Sequence, residues 1–266
     1  MCIIASVPGP NGPILIKNRD RNYDVDLKLA EVRGSLVLLD TLTYWLEGCN
    51  DQGLAIVNSA LMVGRDEKEK KKSKSGKKSK DGIRILRALL QEDIQSALDS
   101  LLTYDQGIKG HTFIATGDRL WCLETTSKHR PILTELDPTV LHVRTNHGIY
   151  HPDAGYMKGE DRKSSLIREK TAQIVLSECR TPEEVLQAIN RRFLEEDSPF
   201  NMVRATEKMR TSSQLVMEPG THSVYINVID AYTESFKNSC GEGSPFRVTV
   251  TRDLSPEPPR DPRLGK

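Results

Sequence analysis

The succession of strand-like and helix-like segments in this chain contains no repeated βαβ unit. Short β-prone runs at 2–7 and 14–20 flank the turn-rich PGPNGP and predict a β-hairpin. Further strands are predicted at 35–40, 53–61, 139–145, 211–219, 222–229 and 245–251, with a second hairpin over 111–125 that turns at Gly117 and Asp118. The strands at 35–40 and 53–61 are expected to pair, with GCNDQG as the turn before the second. Because helical segments separate these groups of strands, the order favours antiparallel sheets covered by helices, an α+β layered fold.

Helical patterns supply the covering layers. Helices are predicted at 83–101, 162–178 and 181–195. In the first, apolar residues recur every three or four positions, which is typical of one amphipathic helix against a sheet. The third begins with Thr181, Pro182 and Glu184, which supply an N-cap, a proline in the first turn and a capping-box glutamate.

The composition fits a globular chain that can bury a large core. Hydrophobic residues make up 37% and charged residues 28% of 266, which excludes a fibrous or wholly disordered chain. The formal net charge of +1 argues against a chain that is basic overall, so no nucleic-acid partner is expected. No stretch approaches the ~18 consecutive apolar residues of a membrane span, and the first residues lack the pattern of a secretory signal. We therefore expect a cytoplasmic protein.

The charge is unevenly distributed. Residues 65–80 hold nine basic and three acidic side chains, so the rest of the chain carries 29 basic against 34 acidic ones. We expect a mobile loop over 65–80, with an anion-attracting flap beside the strand of Asn58 as the alternative. The remaining sequence predicts one domain over 2–252 and a Pro-rich, poorly packed tail over 253–266.

Metal and cofactor motifs are missing from the sequence. The five cysteines have no CxxC or CxxH spacing, which favours neither a disulfide framework nor a zinc site. His147 and His151 lie four positions apart, but Gly148 and Pro152 disfavour the helix that a metal pair at this spacing would need. There is also no P-loop, Rossmann fingerprint, HExxH or GxSxG. We expect neither a metal nor an organic cofactor.

Cys2 is the most informative candidate for a catalytic residue. Removal of Met1, which a small second residue permits, would leave a cysteine with both a thiol and a free α-amine. That amine has an unperturbed pKa of about 7.7–8.0, so near neutral pH it can accept the thiol proton without a histidine. One residue would then be nucleophile and base together. The alternative is that Cys2 packs as a small apolar residue in the first strand.

The predicted hairpin sets polar groups around Cys2. If cross-strand partners sum to about 22, Cys2 lies opposite Asp20, and Asn18 shares that face. Lys17 and Arg19 then point to the other face, although a register error of one residue would exchange the two sets. A carboxylate beside the α-amine would orient it or stabilise its charged form.

With these residues the chain resembles a known family. Cys2, the strand ending LIKNRD, the segment GCNDQGLAIVN and the later VRTNH are similar to the choloylglycine hydrolase and penicillin acylase group of N-terminal nucleophile hydrolases and its acyl-CoA:6-aminopenicillanate acyltransferase relatives. That group shares an N-terminal cysteine, an x-N-x-D strand ending, a G-x-N-x-x-G-L turn and a mid-chain T-N element. The resemblance covers residues 2–230 and implies a four-layer αββα sandwich of antiparallel sheets.

The resemblance also implies roles for single residues. Cys2 would be the nucleophile, and Asp20 would hydrogen-bond its α-amine. Asn146 would donate its amide to the tetrahedral oxyanion, and Asn58 falls where the family places another oxyanion contributor. A neutral amide suits this task, since one such donor contributes about 3–4 kcal/mol elsewhere. The alternative for each asparagine is a turn or strand-end residue with local backbone bonds.

Two positions depart from the family pattern. Lys17 stands where the hydrolases carry an arginine, which keeps the charge and loses bidentate hydrogen bonding. The family's late arginine corresponds to Arg210, with Arg204 as an alternative, although either residue also fits a solvated cation at a helix end. Substrate contacts are assigned to Lys17, Asn18, Arg19 and His147, the last with a local turn role as the alternative. The acyltransferases tolerate more variation at these positions, so their branch is the nearer match.

The resulting hypothesis is an N-terminal-cysteine amidohydrolase that cleaves a linear, non-peptide C–N bond of a small N-acyl amide through a thioester. An amine that replaces water would make the same site an acyltransferase. A different class stays open, because residues 1–20 resemble the transport and Golgi organisation family equally well. That family is linked to haem or lipid handling, and the chain would then be a non-catalytic binding or scaffold protein. The sequence leaves open whether the chain is a homo-oligomer.

Overall fold

The computed structural model describes residues 2–61, 81–103, 109–126, 128–155, 159–190, 198–206, 209–229 and 244–252. Its strands are β1 (Cys2–Gly9), β2 (Gly12–Arg21), β3 (Leu27–Val32), β4 (Ser35–Asp40), β5 (Leu46–Asn50), β6 (Ala55–Ala60), β7 (Gly110–Ala115), β8 (Leu120–Thr125), β9 (Ile132–Leu136), β10 (His142–Arg144), β11 (Ala205–Thr206), β12 (Met209–Glu218), β13 (Ser223–Val228) and β14 (Arg247–Arg252). Its helices are α1 (Asp81–Leu89), α2 (Ile94–Thr103), α3 (Gly159–Leu176) and α4 (Pro182–Asn190), and Pro219–Thr221 forms a 3-10 turn. The predicted loop at 65–80, the end of the predicted third helix at 191–195 and the predicted tail at 253–266 lie outside the described residues.

The strands form two seven-stranded sheets. The first has the order β10-β1-β2-β12-β13-β14, with β11 beside β12. Its neighbours are antiparallel except for β13 and β14, which run parallel. The second follows the chain from β3 to β9 and is antiparallel throughout. The N-terminal hairpin therefore lies inside the first sheet rather than at its edge.

Apolar side chains form three cores that separate four layers. Ile4 of the first sheet and Phe113 of the second belong to the core between the sheets. Ile3, the next residue along β1, points to the opposite face and packs with Leu176 and other side chains of α3 and α4. Side chains of α1 and α2 cover the outer face of the second sheet. This arrangement confirms the predicted αββα sandwich.

The first hairpin closes through a shorter turn than its sequence predicted. Gly9 pairs with Gly12, so Pro10 and Asn11 are the two turn residues. Gly12 has φ +106°, a backbone conformation that glycine adopts without strain. Cross-strand partners consequently sum to 21, one less than predicted.

This shift reverses the predicted faces of β2. Cys2 lies opposite Arg19 rather than Asp20. By alternation, Lys17 and Arg19 share the face of Cys2, while Asn18 and Asp20 point to the helices. The prediction that Asp20 and Asn18 lie on the face of Cys2 is therefore wrong, because a one-residue slip moves every side chain to the other side of the sheet.

The prediction that the strands at 35–40 and 53–61 pair with each other is wrong. β4 and β6 each pair with β5, which lies between them. The first half of GCNDQG belongs to β5, and the turn is confined to residues 51–53. Asn50 explains this limit, because its Oδ1 accepts a hydrogen bond from the backbone N–H of Leu54 at 2.9 Å and closes the turn.

The helix predicted over 83–101 is in fact two helices. Asp93 interrupts it and acts as an N-cap for α2, since its carboxylate accepts a hydrogen bond from the backbone N–H of Ser96 at 2.9 Å.

The predicted capping box of α4 is confirmed. Thr181 Oγ1 accepts a hydrogen bond from the N–H of Glu184 at 3.3 Å, and the glutamate carboxylate accepts one from the N–H of Thr181 at 3.1 Å. None of the helices within the described residues is both long and apolar enough to cross a membrane.

Candidate active site

Cys2 lies at the buried start of β1, on the face of the first sheet that meets the second sheet. Its exposed fraction is 2%. Arg21, at the end of β2, donates from Nη1 to the Sγ of Cys2 at 3.3 Å and to the carbonyl oxygen of Asp20 at 2.8 Å. The Oγ of Ser59, in the second sheet, lies 3.2 Å from the carbonyl oxygen of Cys2 and 2.9 Å from that of Thr145, and its one proton is shared between them. The residue is thus held from both sheets, with a cation in contact with its sulfur.

A buried carboxylate, Glu47 of β5, pairs with the two other cations that β2 places on this face. Lys17 Nζ and Arg19 Nη2 both form ion pairs with it, and Trp45 Nε1 donates to its Oε1 at 2.7 Å. Burial raises the pKa of Glu47, but Arg19 and Lys17 outweigh that effect and lower the pKa to about 2. Glu47 is therefore ionised at neutral pH and fixes both cations between the sheets.

The charges around Cys2 favour its thiolate. Burial raises the pKa of Cys2, but Lys17 and Arg21 outweigh it and lower the pKa to about 7. Cys122 of β8 is also buried, and there burial dominates and raises the pKa to about 11. Since both thiols are buried and only one becomes acidic, the neighbouring cations account for the low pKa of Cys2.

Asn58 lies beside Lys17, where β5 and β6 have separated. The ladder between these strands contains only the pairs of Gly48 with Ile56 and of Cys49 with Ala55. Lys17 Nζ donates to Asn58 Oδ1 at 3.4 Å, and Asn58 Nδ2 donates to the carbonyl oxygen of Leu46 at 3.3 Å. Within the described residues, the second N–H of the Asn58 amide has no hydrogen-bond acceptor.

Asp20 lies on the helix-covered face of the first sheet, one position beyond the pair of Cys2 and Arg19. Because the strands are antiparallel, that position is on the amino-terminal side of Cys2. Asp20 Oδ1 accepts from Thr211 Oγ1 at 2.7 Å. Asp20 Oδ2 lies 3.4 Å from Arg168 Nη1 and 3.8 Å from Arg204 Nη1. Of the two late arginines considered from the sequence, Arg204 is thus the one beside Asp20.

Asn146 is fully buried at the meeting point of both sheets and α3. Its Nδ2 donates to Ser59 Oγ at 3.3 Å and to the carbonyl oxygen of Ala60 at 2.7 Å. Its Oδ1 accepts from Arg168 Nη2 at 3.1 Å. Both amide N–H groups thus have acceptors, and Ser59 connects Asn146 to the carbonyl of Cys2.

Two predicted site residues lie apart from Cys2. Arg210 is 42% exposed and pairs with Asp24 at 2.8 Å. Asn18 is buried on the helix-covered face and donates from Nδ2 to the carbonyl oxygen of Met202 at 3.2 Å. The geometry around Cys2 is therefore formed without either of them.

His147 packs against α3 rather than toward the sheet interface of Cys2. Its Nδ1 lies 2.9 Å from Ser165 Oγ, and its Nε2 lies 3.1 Å from Glu169.

Within the described residues, no group of three or more His, Cys, Asp or Glu side chains is placed to hold a metal ion.

Sequence reasoning missed three residues of this arrangement. Arg21 directly follows the NRD element, and in the observed register its position two residues after Arg19 places it on the face of Cys2. Glu47 is a single acidic residue within a buried strand, which marks a partner for buried cations. Arg168 lies in a helix rich in charged residues, so nothing in the sequence distinguishes it from a solvated side chain.

Comparison with known proteins finds similarity in fold to solved structures. No protein-family model matches the sequence, and no curated protein matches it significantly. The solved structure of a Caenorhabditis elegans N-acylethanolamine-hydrolyzing acid amidase (NAAA) ortholog is similar with a TM-score of 0.56 at 14% identity, over 82% of this chain and 93% of that chain. Penicillin V acylase from Agrobacterium tumefaciens is similar with a TM-score of 0.51 at 11% identity, over 94% of this chain and 100% of that chain. The chain thus shares the sandwich fold of these two solved structures, and a sandwich of this kind is what the resemblance implied.

Proposed function

We propose that the protein is an N-terminal-cysteine amidohydrolase acting on a linear, non-peptide C–N bond of an N-acyl amide. The observation that carries the proposal is the contact of a guanidinium with the Cys2 sulfur, at a thiol whose pKa is lowered to about 7. A thiol with this pKa is about half ionised at neutral pH, and the thiolate is the reactive form. The two similar solved structures, an acid amidase and a penicillin V acylase, support the proposal because the chain shares their fold.

The proposal requires that Met1 is removed, so that Cys2 carries the α-amine. The thiol proton passes to this amine, and Sγ attacks the carbonyl carbon of the amide. When the C–N bond breaks, the ammonium gives its proton to the leaving amine, which leaves a thioester on Sγ. Water then attacks the thioester, its proton returns by way of the amine to Sγ, and a carboxylic acid is released. Asp20 lies on the amino-terminal side of Cys2 and would hold the α-ammonium.

Asn58 is better placed than Asn146 to donate a hydrogen bond to the oxyanion. Asn146 already donates both amide N–H groups to protein acceptors, so an oxyanion would have to displace one of them. Asn58 donates one N–H to the carbonyl oxygen of Leu46 and keeps the other for a ligand. We assign Asn58 as donor and Asn146 as the buried support that connects Arg168 to the carbonyl of Cys2 through Ser59.

The first test is turnover of a panel of N-acyl amides by three proteins: wild type, Cys2→Ala and the matched control Cys122→Ser. We expect hydrolysis by wild type and control and none by Cys2→Ala, with unchanged circular dichroism in all three. Adding a primary amine to the assay separates hydrolysis from acyl transfer by the product formed. Undiminished turnover by Cys2→Ala, or none by any protein, would contradict the proposal and favour the non-catalytic alternative.

A further inference from the structure

We infer that Arg21 is a catalytic residue of the Cys2 site, which holds the thiolate before attack and then receives the oxyanion that forms beside Sγ. Only the second role, receiving the oxyanion, rests on the proposed function; the first role, holding the thiolate, does not. The resemblance places a cationic residue at Lys17 and gives no role to Arg21. The assignment therefore comes from the contacts of this chain.

The Arg21 guanidinium is directed at the reacting atom. Its Nη1 uses its two N–H groups on Cys2 Sγ at 3.3 Å and on the carbonyl oxygen of Asp20 at 2.8 Å. The second of these bonds fixes the plane of the guanidinium, and the ring of Trp45 lies 5.1 Å from its central carbon. Arg21 is thus held by its own strand and by an aromatic platform, with one nitrogen facing the sulfur.

The other terminal nitrogen of Arg21 is buried and unused. Nη2 has no hydrogen-bond partner among the described residues. A buried N–H group without a partner is costly, which makes a ligand acceptor at this position favourable. When the C–S bond forms, the carbonyl π pair moves to oxygen, and this oxyanion lies next to Sγ, within reach of a donor on the same guanidinium.

Lys17 and Arg19 are less suited to the same task. Both pair with Glu47, and Lys17 also donates to Asn58. Of the three cations that β2 places on the face of Cys2, Arg21 is the one whose hydrogen bonds within the described residues go to the Cys2 sulfur and a backbone carbonyl rather than to a carboxylate. Burial lowers the pKa of Arg21, but the Cys2 thiolate, Tyr23 and Glu47 raise it above its ordinary value, so it remains charged throughout the reaction.

The test compares wild type with Arg21→Gln, Arg21→Lys and the exposed control Arg119→Gln. Alkylation of Cys2 by iodoacetamide, followed by peptide mass spectrometry from pH 5 to 10, reports the thiol midpoint without a substrate. The titratable and charged groups around the thiol are the α-amine of the chain and the side chains of Lys17, Arg19, Asp20, Arg21 and Glu47. All but Arg21 are unchanged in these variants. We expect a midpoint near 7 for wild type and control, a higher one for Arg21→Gln, and an intermediate one for Arg21→Lys.

The same proteins are then alkylated with iodoacetate, whose carboxylate approaches beside Sγ as the oxyanion does. We expect the ratio of iodoacetate to iodoacetamide rates to fall in Arg21→Gln, and kcat on an active amide to fall about 10²–10³-fold, the usual loss for one oxyanion donor. An unchanged midpoint or an unchanged rate ratio in Arg21→Gln would overturn the inference. If no protein hydrolyses any amide while both chemical readouts shift, the placement of Arg21 is supported and only the amidase proposal fails.

Discussion

Arg168 Nη2 donates a hydrogen bond to Asn146 Oδ1 at 3.1 Å, while Nη1 of the same guanidinium lies 3.4 Å from Asp20. A cation on the amide oxygen fixes the orientation of the Asn146 side chain, because the reversed amide would place N–H groups against the guanidinium. Two residues predicted as separate parts of the site are therefore held by one buried arginine of α3.

Replacing Arg168 removes this buried connection. We expect Arg168→Met to lower the free energy of unfolding by about 3 kcal/mol, since it removes one partner of a buried ion pair. Arg168→Lys keeps the charge and loses less. Urea unfolding measures both, and Lys170→Met, at an exposed position of the same helix, is the control. Equal stability of Arg168→Met and Lys170→Met would contradict the structural role of Arg168.

Glu47 balances two buried cations, so its loss is also costly. We expect Glu47→Gln to destabilise the fold by about 3–5 kcal/mol, because Lys17 and Arg19 would stay buried without their carboxylate. The matched control is Glu135→Gln, which breaks the exposed pair with Arg119 and should cost less than about 1 kcal/mol. Similar midpoints for the two variants in thermal unfolding would show that the cluster contributes little.

The acid dependence of stability follows from the same carboxylate. The pKa of Glu47 is lowered to about 2, so its contribution is complete above its unfolded pKa of ~4.3 and is lost as pH falls through about 2. The difference in unfolding free energy between wild type and Glu47→Gln should therefore shrink by about 2.5 kcal/mol between pH 4.5 and 2. Urea titrations at several pH values measure it, and a constant difference would exclude ionised Glu47 as the source.

Asn58 is expected to act on turnover more than on substrate binding. Asn58→Ala should lower kcat about 10²–10³-fold with a small change in KM, as for loss of one oxyanion donor. Asn146→Ala should lower both kcat and thermal stability, because three buried hydrogen bonds are lost with its side chain. Steady-state kinetics with parallel thermal unfolding distinguishes the two. Unimpaired kcat in folded Asn58→Ala would remove it from the site.

The layered fold could be predicted from the sequence because the order of strands and helices is a local property. The register of the first hairpin could not, since it depends on whether the turn in PGPNGP has two residues or three. That one residue decided whether Lys17 and Arg19 or Asn18 and Asp20 lie beside Cys2. Arg168 was also beyond prediction, because its contact with Asp20 spans 148 positions and leaves no periodic signal.

The most direct measurement is mass spectrometry of the purified protein before and after brief reaction with an N-acyl amide and acid quenching. We expect an intact mass without Met1 and an acyl adduct on the peptide that begins at Cys2. Retention of Met1 in active protein, or turnover with an acyl adduct on another residue, would contradict the claim that Cys2 is an N-terminal nucleophile.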